Sequence, residues 1–391
     1  MKIKRTLSVF FLLGAILLLS LFPSAASSDL PTISPIELKL PCKSAVLIEQ
    51  TTGQVLYEHN PDEKLPIASV SKIMTLLLTM EALEKNVISL DENVPISENA
   101  ASMGGSQVYL EPGEVISLND VLKAVFVSSA NDGAVALAEL VAGTVDGFVA
   151  RMNEKAAELG MNNTVFYNPT GLDDGDTNLS SARDVAIMSK ALLQYEKIYD
   201  YTTIWIDSIR NGTFGLSNTN KLVRFYPGTT GLKTGSTAKA KYCVSASAQR
   251  NGLKLCAVVL GGESSSDRFQ CAKTLLDHGF ANWSYYEPEA LPFSFLPVWG
   301  GKSKTVSLYT DQKGFLTTKN DASGITAEVQ IADELHAPVE KGQTVGSIVY
   351  KKGNTILKEE PILTAEQVDS LSFSDRFRRL ILAFFGILEH S

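Results

Sequence analysis

The sequence predicts a mixed α/β chain of the α+β kind. An antiparallel sheet stands beside a helical region, and a small all-β domain and an amphipathic C-terminal helix follow. Strand-like hairpins lie near Ala45 and near Tyr242, with a mostly helical pattern between them. After Tyr286 the chain turns to prolines, aromatics and short β-branched runs. From Phe373 onward apolar residues recur at helical spacing. The expected division is 1–26 as a signal peptide, 27–287 as the main domain, 288–363 as a β-sandwich-like domain and 364–391 as the terminal helix.

Each part has a local reason. Lys2, Lys4 and Arg5 precede the apolar run Leu7 to Phe22, and Pro23-Ser-Ala-Ala26 ends it. This is the layout of a secretory signal, cleaved after Ala26; the alternative is an uncleaved membrane anchor. Ala45–Ile48 and Gln54–Tyr57 flank Thr51-Thr-Gly53, a hairpin pattern. Helical periodicity covers Ile73 to Glu84, Leu118 to Val141, Val145 to Leu159 and Ser181 to Leu193. A second hairpin runs from Tyr242 to Gln249, turns at Asn251-Gly252 and returns from Leu253 to Leu260. Asn-Gly is the strongest short-range signal for a type I′ turn. A helix from Arg268 to Gly279 follows.

Pro288, Pro292 and Pro297 punctuate a linker. Strand-like runs come next at Thr305–Thr310, Gly314–Thr318, Ile325–Ile331, Gly346–Tyr350 and Thr355–Leu357, with a turn at Lys352-Gly-Asn354. In the last segment Phe373, Phe377, Leu380, Ile381, Phe384, Phe385, Ile387 and Leu388 fall on one helical arc, opposite Asp375, Arg378, Arg379 and Glu389. Such a helix suits the plane of a membrane surface and is too short to span it. The alternative is a helix docked on its own protein.

Composition narrows the partners. The 391 residues are 45% apolar and 20% charged, enough for a sizeable core. Without residues 1–26, 32 basic and 43 acidic side chains remain, a net charge of −11. Nucleic-acid binding, which depends on phosphate neutralisation, is not expected. Cys42, Cys243, Cys256 and Cys271 lack C-x-x-C spacing and suit buried free thiols better than zinc or disulfides. The four histidines are scattered, so neither a His-based triad nor a metal cluster is expected.

Three short strings carry the chemistry. In Ser69-Val-Ser-Lys72 the spacing puts both side chains on one helix face. Pro66 lies just upstream, as near a helix start. The apolar residues after Lys72 desolvate its amine and lower its pKa, so that it can take the proton of Ser69. Ser129-Ala-Asn131 follows an apolar run; Ser129 is placed to relay protons and Asn131 to offer its amide to a substrate backbone, or either residue caps the next helix. Lys233-Thr-Gly235 lies just before the strand starting near Tyr242. Lys233 and Thr234 suit a terminal carboxylate, and Gly235 admits a close substrate backbone. The N–H of Ser236 would join that of Ser69 as an oxyanion hole. Each string alone is also explained as a cap or a surface turn.

Together, in this order, the strings resemble the serine-type D-alanyl-D-alanine carboxypeptidases, the low-molecular-weight penicillin-binding proteins. Further similar blocks are Pro66 to Thr75, Gly104 to Gly113, Ser129 to Asp132, Asn168 to Leu172 and Tyr226 to Gly235. The resemblance implies a penicillin-binding/β-lactamase-like transpeptidase fold. It implies that Ser69 is acylated by a peptidoglycan pentapeptide ending in D-Ala-D-Ala, that β-lactam antibiotics trap the same serine, and that no cofactor or metal is needed. It further implies export to the outer face of the cytoplasmic membrane, held there by the terminal helix. Two positions depart from the pattern: Ser236, where relatives are often bulkier, and Lys241, where they commonly have glycine. A class A β-lactamase would need a glutamate for rapid deacylation. No glutamate occurs between Asn163 and Leu179. A non-catalytic wall-binding scaffold is the other rival.

Overall fold

A computed structural model describes residues 37–173, 175–289, 294–311 and 313–385. The expected signal peptide lies outside the described residues, as do Ile387, Leu388 and Glu389 of the terminal helix. The chain divides into two compact units, Ile36–Pro288 with Lys313–Ala322, and Glu289–Gln312 with Ser323–Ser391.

The first unit begins with β1 (Ser44–Glu49) and β2 (Val55–His59). Helices α1 (Lys72–Glu84), α2 (Leu118–Val127), α3 (Asn131–Ala142), α4 (Val145–Glu158) and α5 (Ala182–Leu192) follow. The helical pattern from Leu118 to Val141 is two helices. Ser129 at φ 62 is left-handed and cannot continue a right-handed helix. A small hairpin, β3 (Ile206–Ile209) and β4 (Phe214–Ser217), comes next. Then β5 (Thr229–Thr237), β6 (Lys241–Arg250) and β7 (Leu253–Gly262) lead into α6 (Ser265–Asn282) and β8 (Trp283–Tyr286).

Five strands form one antiparallel sheet in the order β2-β1-β7-β6-β5, so both ends of the unit meet in it. The β6–β7 turn has Asn251 at φ 48 and Gly252 at φ 79, the two positive values that a type I′ turn requires. Both faces of the sheet are covered. A Cβ on Gly279 of α6 would come within 2.5 Å of Leu255, whereas Ser189 of α5 meets Ser245, which in turn meets Cys256. Leu255 and Cys256 are neighbours on one strand and point to opposite faces, so α5 and α6 flank the sheet. Burial on both sides explains why β7 reads as a continuous apolar run. The core continues from the sheet through α1, α2 and α3, where Ile73, Leu77, Val121, Val125, Ala134 and Leu137 are buried.

The second unit holds β9 (Phe295–Trp299) and β10 (Thr305–Tyr309). The next run, β11 (Phe315–Thr318), returns to the first unit and pairs with β8. An expected strand of the all-β domain is therefore assigned elsewhere, and a linear boundary at 287/288 does not separate the units. Then β12 (Thr326–Ile331), β13 (Leu335–His336), β14 (Thr344–Lys352) and β15 (Thr355–Thr364) complete an all-β sheet in the order β12-β14-β15-β10-β9-β13. The described strands of this unit link into one hydrogen-bonded order. Helix α7 (Phe373–Phe384) exposes Phe373, Phe377, Leu380 and Phe384, and Phe385 just after it is exposed as well. No single described helix is long and apolar enough to cross a membrane.

Candidate active site

Four stretches distant in sequence meet at Ser69. The first is the turn that carries it. Ala68–Ser71 is a short 3₁₀ turn running into α1, and Ala68 is left-handed at φ 48. A non-glycine residue in that region costs about 1–3 kcal/mol and is held only by its surroundings. Here Ser71 Oγ donates to Ala68 O at 2.8 Å. The loop Asn168–Leu172 presses on the same peptide from outside. A Cβ on Gly171 would lie 1.9 Å from Ala68 O and 2.9 Å from Ser69 N, so no side chain fits there. The loop is braced by Asn168 Oδ1, which accepts from Gly171 N at 2.6 Å and Thr170 N at 3.1 Å.

Lys72 is fully buried, and its Nζ lies 3.0 Å from Ser69 Oγ. The same nitrogen donates to Asn131 Oδ1 at 2.5 Å and to Thr170 O at 2.7 Å. Burial, then the nearby charge of Lys233, pushes its pKa well below the usual lysine value; Asp132 opposes the shift. A neutral amine has two hydrogens and one lone pair. Asn131 and Thr170 take up the hydrogens, which leaves the lone pair for Ser69. The apolar desolvation read from the sequence is present, and the two oxygens that orient the amine are added by residues remote from it.

Ser129 sits at the break between α2 and α3, almost wholly buried, and its Oγ accepts from Lys233 Nζ at 2.7 Å. Its own hydroxyl hydrogen remains to be donated. Asn131 opens α3; besides meeting Lys72 it donates from Nδ2 to Gly104 O at 2.7 Å. Its amide is thus already engaged in part with its own chain.

Lys233, Thr234, Gly235 and Ser236 lie just ahead of β6, as the sequence suggested, and belong to a strand of their own, the edge strand β5. The Gly and Thr content of that stretch hid the strand. Gly235 also differs from expectation. A Cβ there would come within 2.9 Å of Ile67 O, Ser69 N and Val70 N, so the glycine admits the chain's own turn at Ser69. Lys233 is buried, and burial, then the charge of Arg268, lowers its pKa to about 7. Thr234 Oγ1 donates to Thr219 Oγ1 at 2.8 Å. Ser236 is exposed and pairs in register with Tyr242. Lys241, the first residue of β6, holds φ 58, which explains why glycine suits that position.

Sequence reasoning assigned no role to Asn168, Thr170, Gly171 or Arg268. The string Asn168-Pro-Thr-Gly171 is a turn signature and could have flagged the loop. Arg268 gave no local signal. It donates from α6 to Gly235 O at 3.0 Å and Cys243 O at 3.3 Å, contacts that only the folded sheet creates.

The family model described as D-alanyl-D-alanine carboxypeptidase matches residues 32–264, and the one described as Penicillin-binding protein 5, C-terminal domain, matches 292–370. The chain is 43% identical to D-alanyl-D-alanine carboxypeptidase DacF of Bacillus subtilis (strain 168) over 387 residues, 96% of this chain and 97% of the relative. Its fold is similar to that of penicillin binding protein 5 from Haemophilus influenzae, with a TM-score of 0.71 and 29% identity over 87% of this chain and 100% of that one. It is also similar to the ampicillin-bound Penicillin-Binding Protein D2 of Listeria monocytogenes, with a TM-score of 0.58 and 32% identity over 63% of this chain and 100% of that one.

Proposed function

The chain belongs to the D-alanyl-D-alanine carboxypeptidase family, and from that premise we propose that it removes the C-terminal D-alanine of peptidoglycan stem peptides through an acyl-enzyme on Ser69. The observation that supports this most is the cradle of Lys72, buried beside Ser69 with both amine hydrogens occupied by carbonyl oxygens.

Lys72 takes the proton as Ser69 Oγ attacks the carbonyl carbon of the D-Ala–D-Ala peptide bond. The N–H groups of Ser69 and Ser236 hold the oxyanion. Ser129 passes a proton to the departing amine, and Asn131 keeps Lys72 aimed. Lys233 and Thr234 take the terminal carboxylate, while the edge of β5 pairs with the extended peptide. D-alanine leaves, and water then cleaves the ester on Ser69 to release the shortened peptide. A penicillin acylates the same oxygen when its strained lactam opens, and no separate leaving group departs to make room for water. The ampicillin complex of the Listeria relative supports that part of the reading. The protein is exported after cleavage at Ala26 and rests on the membrane surface by α7, whose apolar residues stand exposed.

Incubation with labelled penicillin and with a peptide ending in D-Ala-D-Ala tests the activity. The wild-type protein is expected to hold the label on Ser69 and to release D-alanine, and Ser69→Ala to do neither. Rapid shedding of the label would indicate a β-lactamase, and release persisting in Ser69→Ala would remove Ser69 from the chemistry.

A further inference from the structure

Two of the four cysteines meet. The thiol of Cys42 is in hydrogen-bonding contact with that of Cys271. The other two have oxygen partners. Cys243 Sγ donates to Ala240 O at 3.5 Å and Pro66 O at 3.9 Å, and Cys256 Sγ lies 3.5 Å from Ser245 Oγ. The sequence favoured free thiols throughout, and no spacing rule links residues as far apart as Cys42 and Cys271.

The fold brings this pair together for reasons that do not involve sulfur. Lys43 N donates to Leu260 O at 3.1 Å, and Ser44 pairs with Leu260 as β1 begins. Helix α6 lies along the same two strands. At its start Arg268 N would lie 3.3 Å from a Cβ on Gly262. Further on, a Cβ on Gly279 would lie 2.5 Å from Leu255 and 3.0 Å from Leu47. Cys271, Leu275 and Gly279 are four apart, so Cys271 faces the sheet as Gly279 does. From Gly279 back to Cys271 the helix runs about 12 Å. From Leu47 back to Lys43 the strand runs about 13 Å in the same direction. Both paths end beside Cys42. Cys271 is fully buried, whereas Cys42 is only partly covered.

We propose that Cys42 and Cys271 form a disulfide, which fastens the chain entering β1 to α6. The bond needs an oxidant, here a second disulfide of small-molecule or protein origin. Cys42, the accessible thiol, attacks it as the thiolate; one oxidant sulfur bonds to Cys42 and the other leaves as a thiolate. The Cys271 thiolate then attacks Cys42 Sγ and expels the second sulfur. The two protein thiols give up two electrons and two protons, and the oxidant becomes two thiols. The export proposed above would take the chain to where such bonds persist. The bond closes a loop of about 230 residues that contains Ser69, Lys72, Ser129 and Lys233. Restriction of the unfolded chain grows with loop length, so the gain falls on the unit that carries the site.

The test exposes the full chain, purified under reductant, to oxidised glutathione and maps its peptides by mass after alkylation. The reduced protein is expected to show four alkylated cysteines and the oxidised one two, with the Cys42 and Cys271 peptides joined. Tm is expected to rise by about 5 °C on oxidation and to fall back when reductant is restored. Cys42→Ser, at the partly covered position, abolishes that shift and keeps wild-type penicillin labelling. Cys271→Ser holds glutathione on Cys42, and Cys243→Ala leaves the joined peptides in place. Four alkylated cysteines after oxidation, glutathione held on Cys42 of the wild type, a link to Cys243 or between chains, or a redox shift in Tm surviving in Cys42→Ser would overturn the proposal. The joined peptides and the Tm shift do not depend on D-alanine release, so the carboxypeptidase reading and this one fail separately.

Discussion

Lys72 and Lys233 are the same residue type in one pocket, and the proposed chemistry asks opposite charge states of them. Lys72 must be neutral to accept a proton, so its contribution rises with pH through its lowered pKa. Lys233 must be charged to hold a carboxylate, and its pKa lies at about 7, so kcat/KM falls as pH rises through that value. The expected profile for D-alanine release is therefore a bell. Arg268 is a lesser cause of the Lys233 shift after burial. Replacing Arg268 by Gln removes a neighbouring positive charge, raises the Lys233 pKa and moves the alkaline limb up by about one pH unit. Replacing it by Lys keeps the charge and leaves the limb in place. Profiles of kcat/KM from pH 5 to 10 for both variants check this, and an unmoved limb in the Gln variant would remove Lys233 from carboxylate binding.

The loop Asn168–Leu172 and the turn Ala68–Ser71 work as a wedge and its seat. Gly171→Ala would drive a methyl group into Ala68 O while straining a backbone at φ 78. We expect a loss of about 2–4 kcal/mol in stability and penicillin acylation slowed by at least about tenfold. Denaturant melts and labelling rates measure the two effects. This wedge also shows what the sequence does and does not disclose. Hairpins and helices whose signals are local were read from it: Asn251-Gly252 announced its turn, and α1, α4 and α5 followed their apolar spacing. The order of the three motif strings was equally readable. The break at Ser129 was readable only as a candidate helix cap, because apolar periodicity runs through it unchanged. The edge-strand setting of Lys233 was not readable, since Gly and Thr weaken a strand signal that sheet pairing restores. The return of β11 to β8 depends on a partner about thirty residues back, which no window on the sequence contains.

The two compact units invite separate tasks. Helix α7 leaves Phe373 at 84% and Phe384 at 85% exposure, large apolar groups without cover. A chain ending at Ser372 is expected to lose sedimentation with anionic lipid vesicles while keeping kcat/KM on a soluble tripeptide within about twofold. Unchanged vesicle binding by that chain would place the attachment elsewhere. The cradle around Lys72 has a different reach. Its donors and acceptors come from the 3₁₀ turn, the start of α3 and the loop before α5, so no single fragment of the chain can neutralise the amine. Until those three have docked, Ser69 is an ordinary alcohol beside an ordinary ammonium ion. On the proposed reading, a chain that has not yet folded is thus inert both to antibiotic and to wall, and becomes reactive only on arriving at its finished shape.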